Sequence, residues 1–402
     1  LMRAASIPRG LAVAGVALAA LCGGGEVRGT ALPGEADTRK FDVGGYPTAV
    51  PKIAPNLDPV GYARLEGVRL ADAVMSPHEV DDKYSAGASA QVHTGLDTLT
   101  SYLAEPVLPV LQNHGFVVGF STGSADAVLP LTRATEGSRE REGLTVTVLR
   151  FRDKDAAKAA AAEMNAVDFA LSPENAAVQL PKYPDSGAHW RPAVPTLGST
   201  TAHGVFVIST LADARTTDLT RLIGITQKYL DAELPALDRF TPTPTTEFGT
   251  LQQDPDRVLT RALHPGGTVP QPDGQGEVVL TLRGYLNYIL DQSGRYPVLR
   301  RAGVDRVAMT PSVFVFRTRD AAAAKQFVTE SVELDSPADR RAFDPPEDVP
   351  DALCLQSYNV TKSAQFRCFV AYHEYAALII GQQLLDTQQR AAAQYALFAN
   401  IR

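Results

Sequence analysis

Phe151-Arg152-Asp153-Lys154-Asp155-Ala156-Ala157 and Phe316-Arg317-Thr318-Arg319-Asp320-Ala321-Ala322 share one pattern, F-R-x-(+)-D-A-A. In both copies a β-rich run comes first, Leu144 to Leu149 and then Val313 to Val315, and an Ala-rich stretch follows. Asp155 and Asp320 stand where a helix N-cap belongs, since a carboxylate there accepts from the free N–H groups of the first turn. Each copy is expected to be a strand, a tight turn and a capped helix.

Three further matches occur in the same order. Pro109-Val110-Leu111 with Gly115-Phe116 is repeated as Pro297-Val298-Leu299 with Gly303-Val304. Phe206-Val207 matches Phe369-Val370, and each half closes on a helix with a Gln and a Tyr, Gln227 and Tyr229, then Gln394 and Tyr395. Together they predict an α+β protein made by internal duplication, each unit a mainly antiparallel sheet with helices packed on it. The alternative is two unrelated α+β domains with similar helix-start chemistry.

The expected organisation is a signal peptide over 1–21, a lipid anchor and extended tether over 22–60, a first unit over 61–240, a linker over 241–283 and a second unit over 284–402. Thr241-Pro242-Thr243-Pro244-Thr245-Thr246 favours an extended backbone that cannot pair as a central strand, and marks the boundary. In the first unit, Leu65, Val68 and Leu70 suggest a strand or short packed segment, and Ser76 to Asp81 a turn. Leu96 to His114 has helical spacing broken by Pro106 and Pro109. Phe116 to Phe120, Val128 to Thr132, Leu144 to Phe151 and Val205 to Ile208 read as strands, with a weaker β region over Ala177 to Val194. Helices are expected over Asp155 to Val167 and from about Thr217 to Leu237.

Arg3 and Arg9 precede an apolar run, Leu11 to Leu21, too short to cross a bilayer, which needs about 20 residues. This is a secretory signal. It ends in Cys22-Gly23-Gly24-Gly25, as a bacterial lipoprotein signal does, so Cys22 is the expected lipidation site and the Gly run a flexible spacer. Ordinary cleavage after Ala17-Leu18-Ala19 is the alternative. The other two cysteines, Cys354 and Cys368, read as a disulfide in an oxidising compartment, set across a hairpin whose turn falls near Thr361.

Composition excludes some classes. The formal net charge is -7, and without Arg3 and Arg9 only 36 basic residues stand against 45 acidic ones. That balance argues against nucleic acid and against a polybasic membrane contact. The seven histidines never stand in zinc-ligand spacing, Glu79 with Asp81-Asp82 lacks the pattern of a calcium loop, and no phosphate loop or dinucleotide fingerprint occurs. No cofactor or metal is expected. Asn359-Val360-Thr361 fits a glycosylation pattern but reads more simply as a turn.

Gly119-Phe120-Ser121-Thr122-Gly123 matches the G-x-S-x-G nucleophile elbow, which requires a helix directly after the serine. If Ser121 were a nucleophile, His203, His264 or His373 would have to serve as base.

The leader with Cys22, the segments Gly34 to Asp37 and Phe41-Asp42-Val43-Gly44-Gly45-Tyr46-Pro47-Thr48, the run Arg69-Leu70-Ala71-Asp72 and Ala392-Ala393-Gln394-Tyr395 resemble those of actinobacterial envelope lipoproteins of unknown function, of mycobacterial or nocardial type. The resemblance implies an extracytoplasmic lipoprotein and brings no activity with it; Leu21, before the cysteine, departs from the usual small residue. The expectation is a lipid-anchored, non-enzymatic protein that holds an envelope small molecule, lipid or partner protein in a cleft where the two units meet. A serine hydrolase using Ser121 and a structural subunit of an envelope complex are the alternatives.

Overall fold

The computed structural model describes residues 36–54, 56–127, 140–272, 276–335, 340–357 and 365–401. The expected signal, Cys22, the run at Val128 to Thr132 and the turn at Thr361 lie outside them. The chain divides into Leu1–Ala36 and Asp37–Arg402; the second unit carries all the architecture below.

The first half contains β1 (Lys52–Ile53), α1 (Pro59–Ala73), α2 (Pro77–Val80), β2 (Ala86–His93), α3 (Leu108–Asn113), β3 (Phe116–Ala125), β4 (Gly143–Phe151), α4 (Lys154–Phe169), β5 (Ala176–Ala177), β6 (Gly187–Trp190), β7 (Thr196–His203), β8 (Phe206–Asp213) and α5 (Leu219–Asp238). The second contains β9 (Thr268–Val269), β10 (Val278–Thr281), α6 (Leu282–Leu286), α7 (Gln292–Arg301), β11 (Arg306–Met309), β12 (Val313–Arg317), α8 (Ala321–Glu333), β13 (Arg340–Phe343), β14 (Leu353–Ser357), β15 (Phe366–Tyr372), β16 (Tyr375–Gly381) and α9 (Leu384–Asn400).

Two seven-stranded antiparallel sheets result, ordered β2-β3-β4-β8-β7-β6-β5 and β10-β11-β12-β16-β15-β14-β13. Chain order, spatial order and the helices between strands correspond: α4 and α8 follow the third strand of their sheets, α5 and α9 the last. The α+β duplication expected from the repeat is therefore realised in topology.

The register of the repeat differs from the one read in the sequence. The cap of α4 is Asp153, whose carboxylate accepts from the Ala156 N–H, while Asp320 accepts from the Ala323 N–H. The true match is R-x-R-D, pairing Arg150 with Arg317, Arg152 with Arg319 and Asp153 with Asp320. Two aspartates in the first copy, Asp153 and Asp155, permit the two-residue slip. Gly115 and Gly303, at φ 75° and 64°, close α3 and α7 in the left-handed region, where glycine carries no Cβ penalty. A Cβ on either would press on the side chain of Arg152 or Arg319.

Phe206-Val207 does not correspond to Phe369-Val370. Phe206 opens β8, whereas Phe369 lies on β15, the counterpart of β7. The hairpins fix the match: His203 pairs with Phe206 and Tyr372 with Tyr375, so Phe206 answers to Tyr375.

Other expectations change for local reasons. The stretch around Leu65 and Val68 is a helix, α1, begun by Pro59 with Asp58 accepting from the Gly61 N–H. Ser76 to Asp81 holds the short helix α2, with Ser76 and Glu79 forming a capping box. The two prolines confine α3 to Leu108–Asn113 and leave single 3₁₀ turns ahead of it. The supposed linker supplies β10, the first strand of the second sheet, and Thr243 is bonded to Glu66 and Arg150. The described part of the supposed tether is docked: Arg390 Nε donates to Tyr46 Oη at 2.9 Å, the Tyr46 hydroxyl donates to Asp386, Asn400 Nδ2 donates to the Thr48 carbonyl at 2.9 Å, and β1 pairs with β9.

Helix α1 packs on β2 and β3 of the first sheet and on β10 and α6 of the second, and one apolar core runs through both halves. Asp72 of α1 accepts from the Thr281 N–H at 2.9 Å and hydroxyl at 2.8 Å. Burial pushes its carboxyl up to about 6.

Candidate functional site

The expected cleft between the units is largely a closed seam. Gly87 N donates to the Leu290 carbonyl and Gln292 N to the Ser85 carbonyl, both at 2.9 Å. Inside it, Thr122 Oγ1 donates to Asn287 Oδ1 at 2.8 Å and Gln292 Nε2 to Ser76 Oγ at 3.1 Å. A cavity of about 330 Å³ opens beside α1, between Arg69, Asp72, Asp256 and Arg306.

Larger clefts lie within the first half, on either side of α4. Alanines at Ala156, Ala157, Ala160 and Ala161 let this helix sit close to its sheet, and the small side chains leave space at its flanks. One flank opens a groove of about 900 Å³ between α4, the loop at Lys182 to Gly187 and the end of β7, with Lys154, Lys158 and Lys182 at its rim. The other flank holds a cleft of about 440 Å³. Its floor carries the side chains of Thr145 of β4, Thr200 of β7 and Ser209 of β8; Tyr102 and Ser101 form one wall, Met164 and Asp168 the other. Thr200 lines both spaces.

The duplication supplies an internal control for this cleft. Counting back from the hairpins, Thr200 paired with Ser209 corresponds to Phe369 paired with Leu378. Counting from the helix caps, Ala160 corresponds to Phe327 and Asp168 to Asp335. In the second half this place is a cavity of about 40 Å³ walled by Tyr285, Phe316, Phe327, Phe369 and Leu378. The same position in the fold is polar and open in one half, apolar and nearly filled in the other.

Residues 53–253 match the N-terminal part, and residues 258–401 the C-terminal part, of a domain family of unknown function, DUF7373. The chain belongs to the DUF7373 family. Residues 254–257 lie between the two matched parts. No curated protein matches the chain. Among solved structures, the extracellular domain of PknH from Mycobacterium tuberculosis is similar over 42% of this chain and 94% of its own, with 10% identity and a TM-score of 0.30.

The residues singled out in the DUF7373 sequence fall as follows. Cys354 and Cys368 face each other on β14 and β15 and form a disulfide. Their counterparts in the first half, Ala188 and Ser199, face each other in the same way on β6 and β7.

Ser121 is not on an elbow. It lies in the middle of β3, paired with Gln91 on one side and Thr147 on the other, and is completely buried. The nearby imidazole is none of His203, His264 and His373 but His93, whose Nε2 lies 2.8 Å from Ser121 Oγ and whose Nδ1 lies 2.8 Å from Thr98 Oγ1. Burial holds the His93 imidazole down at about 4, against the pull of Asp97. It is therefore neutral near pH 7, and Ser121 also contacts Thr147 Oγ1 at 2.8 Å. Tyr102, in the cleft wall, packs edge-on to His93 with centroids 5.2 Å apart. His93 stands on β2, a strand the sequence reading did not find.

His203 is tied to Asp238 and His264 to the Leu259 carbonyl; His373 sits at the first position of the β15–β16 turn with φ 47°. Among the described residues, no three His, Cys, Asp or Glu side chains gather as metal ligands, and no helix is long and apolar enough to cross a membrane.

Proposed function

We propose that this is an extracytoplasmic binding protein, tethered through lipid on Cys22, that holds a hydroxyl-rich, saccharide-like ligand in the polar cleft beside α4. The observation that carries the reading is the contrast between Thr200 and Ser209 in the first half and Phe369 and Leu378 at the same places in the second. A serine or threonine hydroxyl both donates and accepts, so a floor of them suits a ligand whose own groups do the same. Asp168 adds an acceptor, Arg141 a donor, and the Tyr102 ring an apolar face in the manner of small-molecule sites. The leader and the disulfide support the address.

Saturation-transfer NMR with a panel of neutral mono- and disaccharides tests the site. Transfer from the wild-type protein and its loss in Ser209→Leu, which places the second half's residue in the cleft, is the expected result. No transfer to any member of the panel, or equal transfer in the variant, overturns it. Mass spectrometry of the protein extracted from its host membrane tests the address: an acyl mass on Cys22 is expected, and an unlipidated chain beginning near Ala20 contradicts it.

Hydrolysis through Ser121 is the second reading, favoured by the His93 contact alone. A nucleophile must be reachable by its substrate, and this hydroxyl is sealed between two strands. A fluorophosphonate probe is expected to leave Ser121 unlabelled; labelling would revive the hydrolase.

A further inference from the structure

Among the described residues, the second half carries a cluster of cations facing a single carboxylate. Asp335, just past α8, has a side chain only 2% exposed. Three guanidinium groups approach it from three other elements. Arg295 of α7 donates Nη2 to Oδ1 at 2.8 Å, Arg340 of β13 donates to Oδ2, and Arg367 of β15 places Nη1 3.7 Å from Oδ1.

One carboxylate cannot neutralise three cations, and like charges held close in a partly buried place repel unless an anion completes the set. Arg367 shows the deficit most clearly. Its Nε is buried without a hydrogen-bond partner among the described residues, and burial followed by the charge of Arg340 brings its guanidinium down to about 10. Asp168, at the equivalent position in the first half, pairs with His189 at 3.7 Å, so among the described residues the three-arginine cluster is particular to the second half. Arg295 also lines the small apolar cavity beneath α8, beside Tyr285 and Leu334.

We propose that Arg295, Arg340 and Arg367 form a binding site for an oxyanion, a phosphoryl or carboxylate group, with Asp335 holding the three guanidinium groups in place. Guanidinium forks match the paired oxygens of such groups in geometry as well as charge. The site is separate from the cleft beside α4 and does not depend on the function proposed for it.

Isothermal titration of the full chain with inorganic phosphate and with hexyl phosphate, at fixed ionic strength, tests the assignment. Both Arg340→Gln and Arg295→Gln, checked for folding by circular dichroism, are expected to weaken binding at least about tenfold, the loss that follows when a charge-assisted hydrogen bond is removed. Hexyl phosphate binding more tightly than phosphate assigns the group to an amphiphile, through the adjoining cavity; equal affinities assign it to a free oxyanion. No heat from either ligand at 10 mM, or affinity unchanged in both folded variants, overturns the site.

Discussion

Arg150 and Arg317 occupy the same place in the two halves, three residues before the cap of the long helix, and their surroundings could hardly differ more. Arg150 donates Nη1 to Glu66 Oε1 at 2.6 Å and Nη2 to the Thr243 carbonyl at 2.6 Å. Glu66 is completely buried and also takes Arg69 at 2.6 Å. Arg317 reaches outward to Asp305, whose side chain is 55% exposed. The first half has turned its arginine inward, to bind α1, β4 and the start of the inter-unit segment into one knot. The second keeps it half-buried and paired with the exposed Asp305, with Asp256 4.0 Å away. Position in a fold fixes where a side chain starts, and its neighbours decide what that charge does.

The largest test of this contrast removes one acid from each pair. Glu66→Ala leaves Arg150 buried without its partner and should lower unfolding stability by about 3–5 kcal/mol, whereas Asp305→Asn should cost less than about 1 kcal/mol. Urea unfolding of the two variants measures the difference, and equal losses would show that burial does not separate the two arginines.

A second difference is covalent. The disulfide joins Cys354 to Cys368 where the first half has Ala188 opposite Ser199. Replacing both cysteines with serine should lower stability by about 3 kcal/mol on the chain-entropy account. Proteolysis should then start in β14 and β15; cutting that begins instead in β6 and β7 would contradict it.

The third concerns pH. Glu233 is buried in α5, accepts from the Met75 N–H at 2.9 Å and the Tyr229 hydroxyl at 3.1 Å, and burial pushes its carboxyl up to about 8. Helix α9 buries the neutral Thr387 and Gln394 instead. A carboxyl raised on folding keeps its proton in the folded chain while the unfolded chain releases it. Its contribution is full below the ordinary carboxyl range and is lost as pH rises towards 8, with a slope of up to about 1.4 kcal/mol per pH unit in between. Asp72, raised to about 6, acts in the same direction over a lower window. Thermal melts from pH 5 to 8 should fall steadily for the wild type and be flatter for Glu233→Gln. An unchanged slope would place the titrating group elsewhere.

Much of the architecture is legible in the sequence because helix caps and apolar runs are local signals. The R-x-R-D copies and the glycines after α3 and α7 report the duplication, while the paired cysteines report a hairpin of the second half alone. The two missed strands of the first seven-stranded sheet, β2 with Ala-Gly-Ala-Ser-Ala-Gln-Val-His and β7 with Thr-Leu-Gly-Ser-Thr-Thr-Ala-His, are small and polar and lack the aromatic and aliphatic runs that mark buried strands. Their composition is tied to the candidate site: β7 supplies part of the cleft floor, and β2 carries the imidazole packed against its wall. A reading tuned to buried apolar strands passes over such strands. The cleft itself becomes visible only when hairpin register aligns Thr200 with Phe369, a correspondence that no local pattern carries. The Asp335 cluster is equally hidden, since its arginines come from three elements far apart in sequence.

Residues 37–54 run along the last helix, with Phe41 set against Tyr395 at 5.7 Å and Tyr46 held by Asp386 and Arg390. A pull applied to the chain at Asp37 therefore meets the contacts of Phe41 and Tyr46 with α9 first, and then the Asn400–Thr48 bond and the β1–β9 pairing, before it reaches α1. The stretch leading out of the domain works as a strain relief, taking up load before it can reach the shared helix that joins the two sheets.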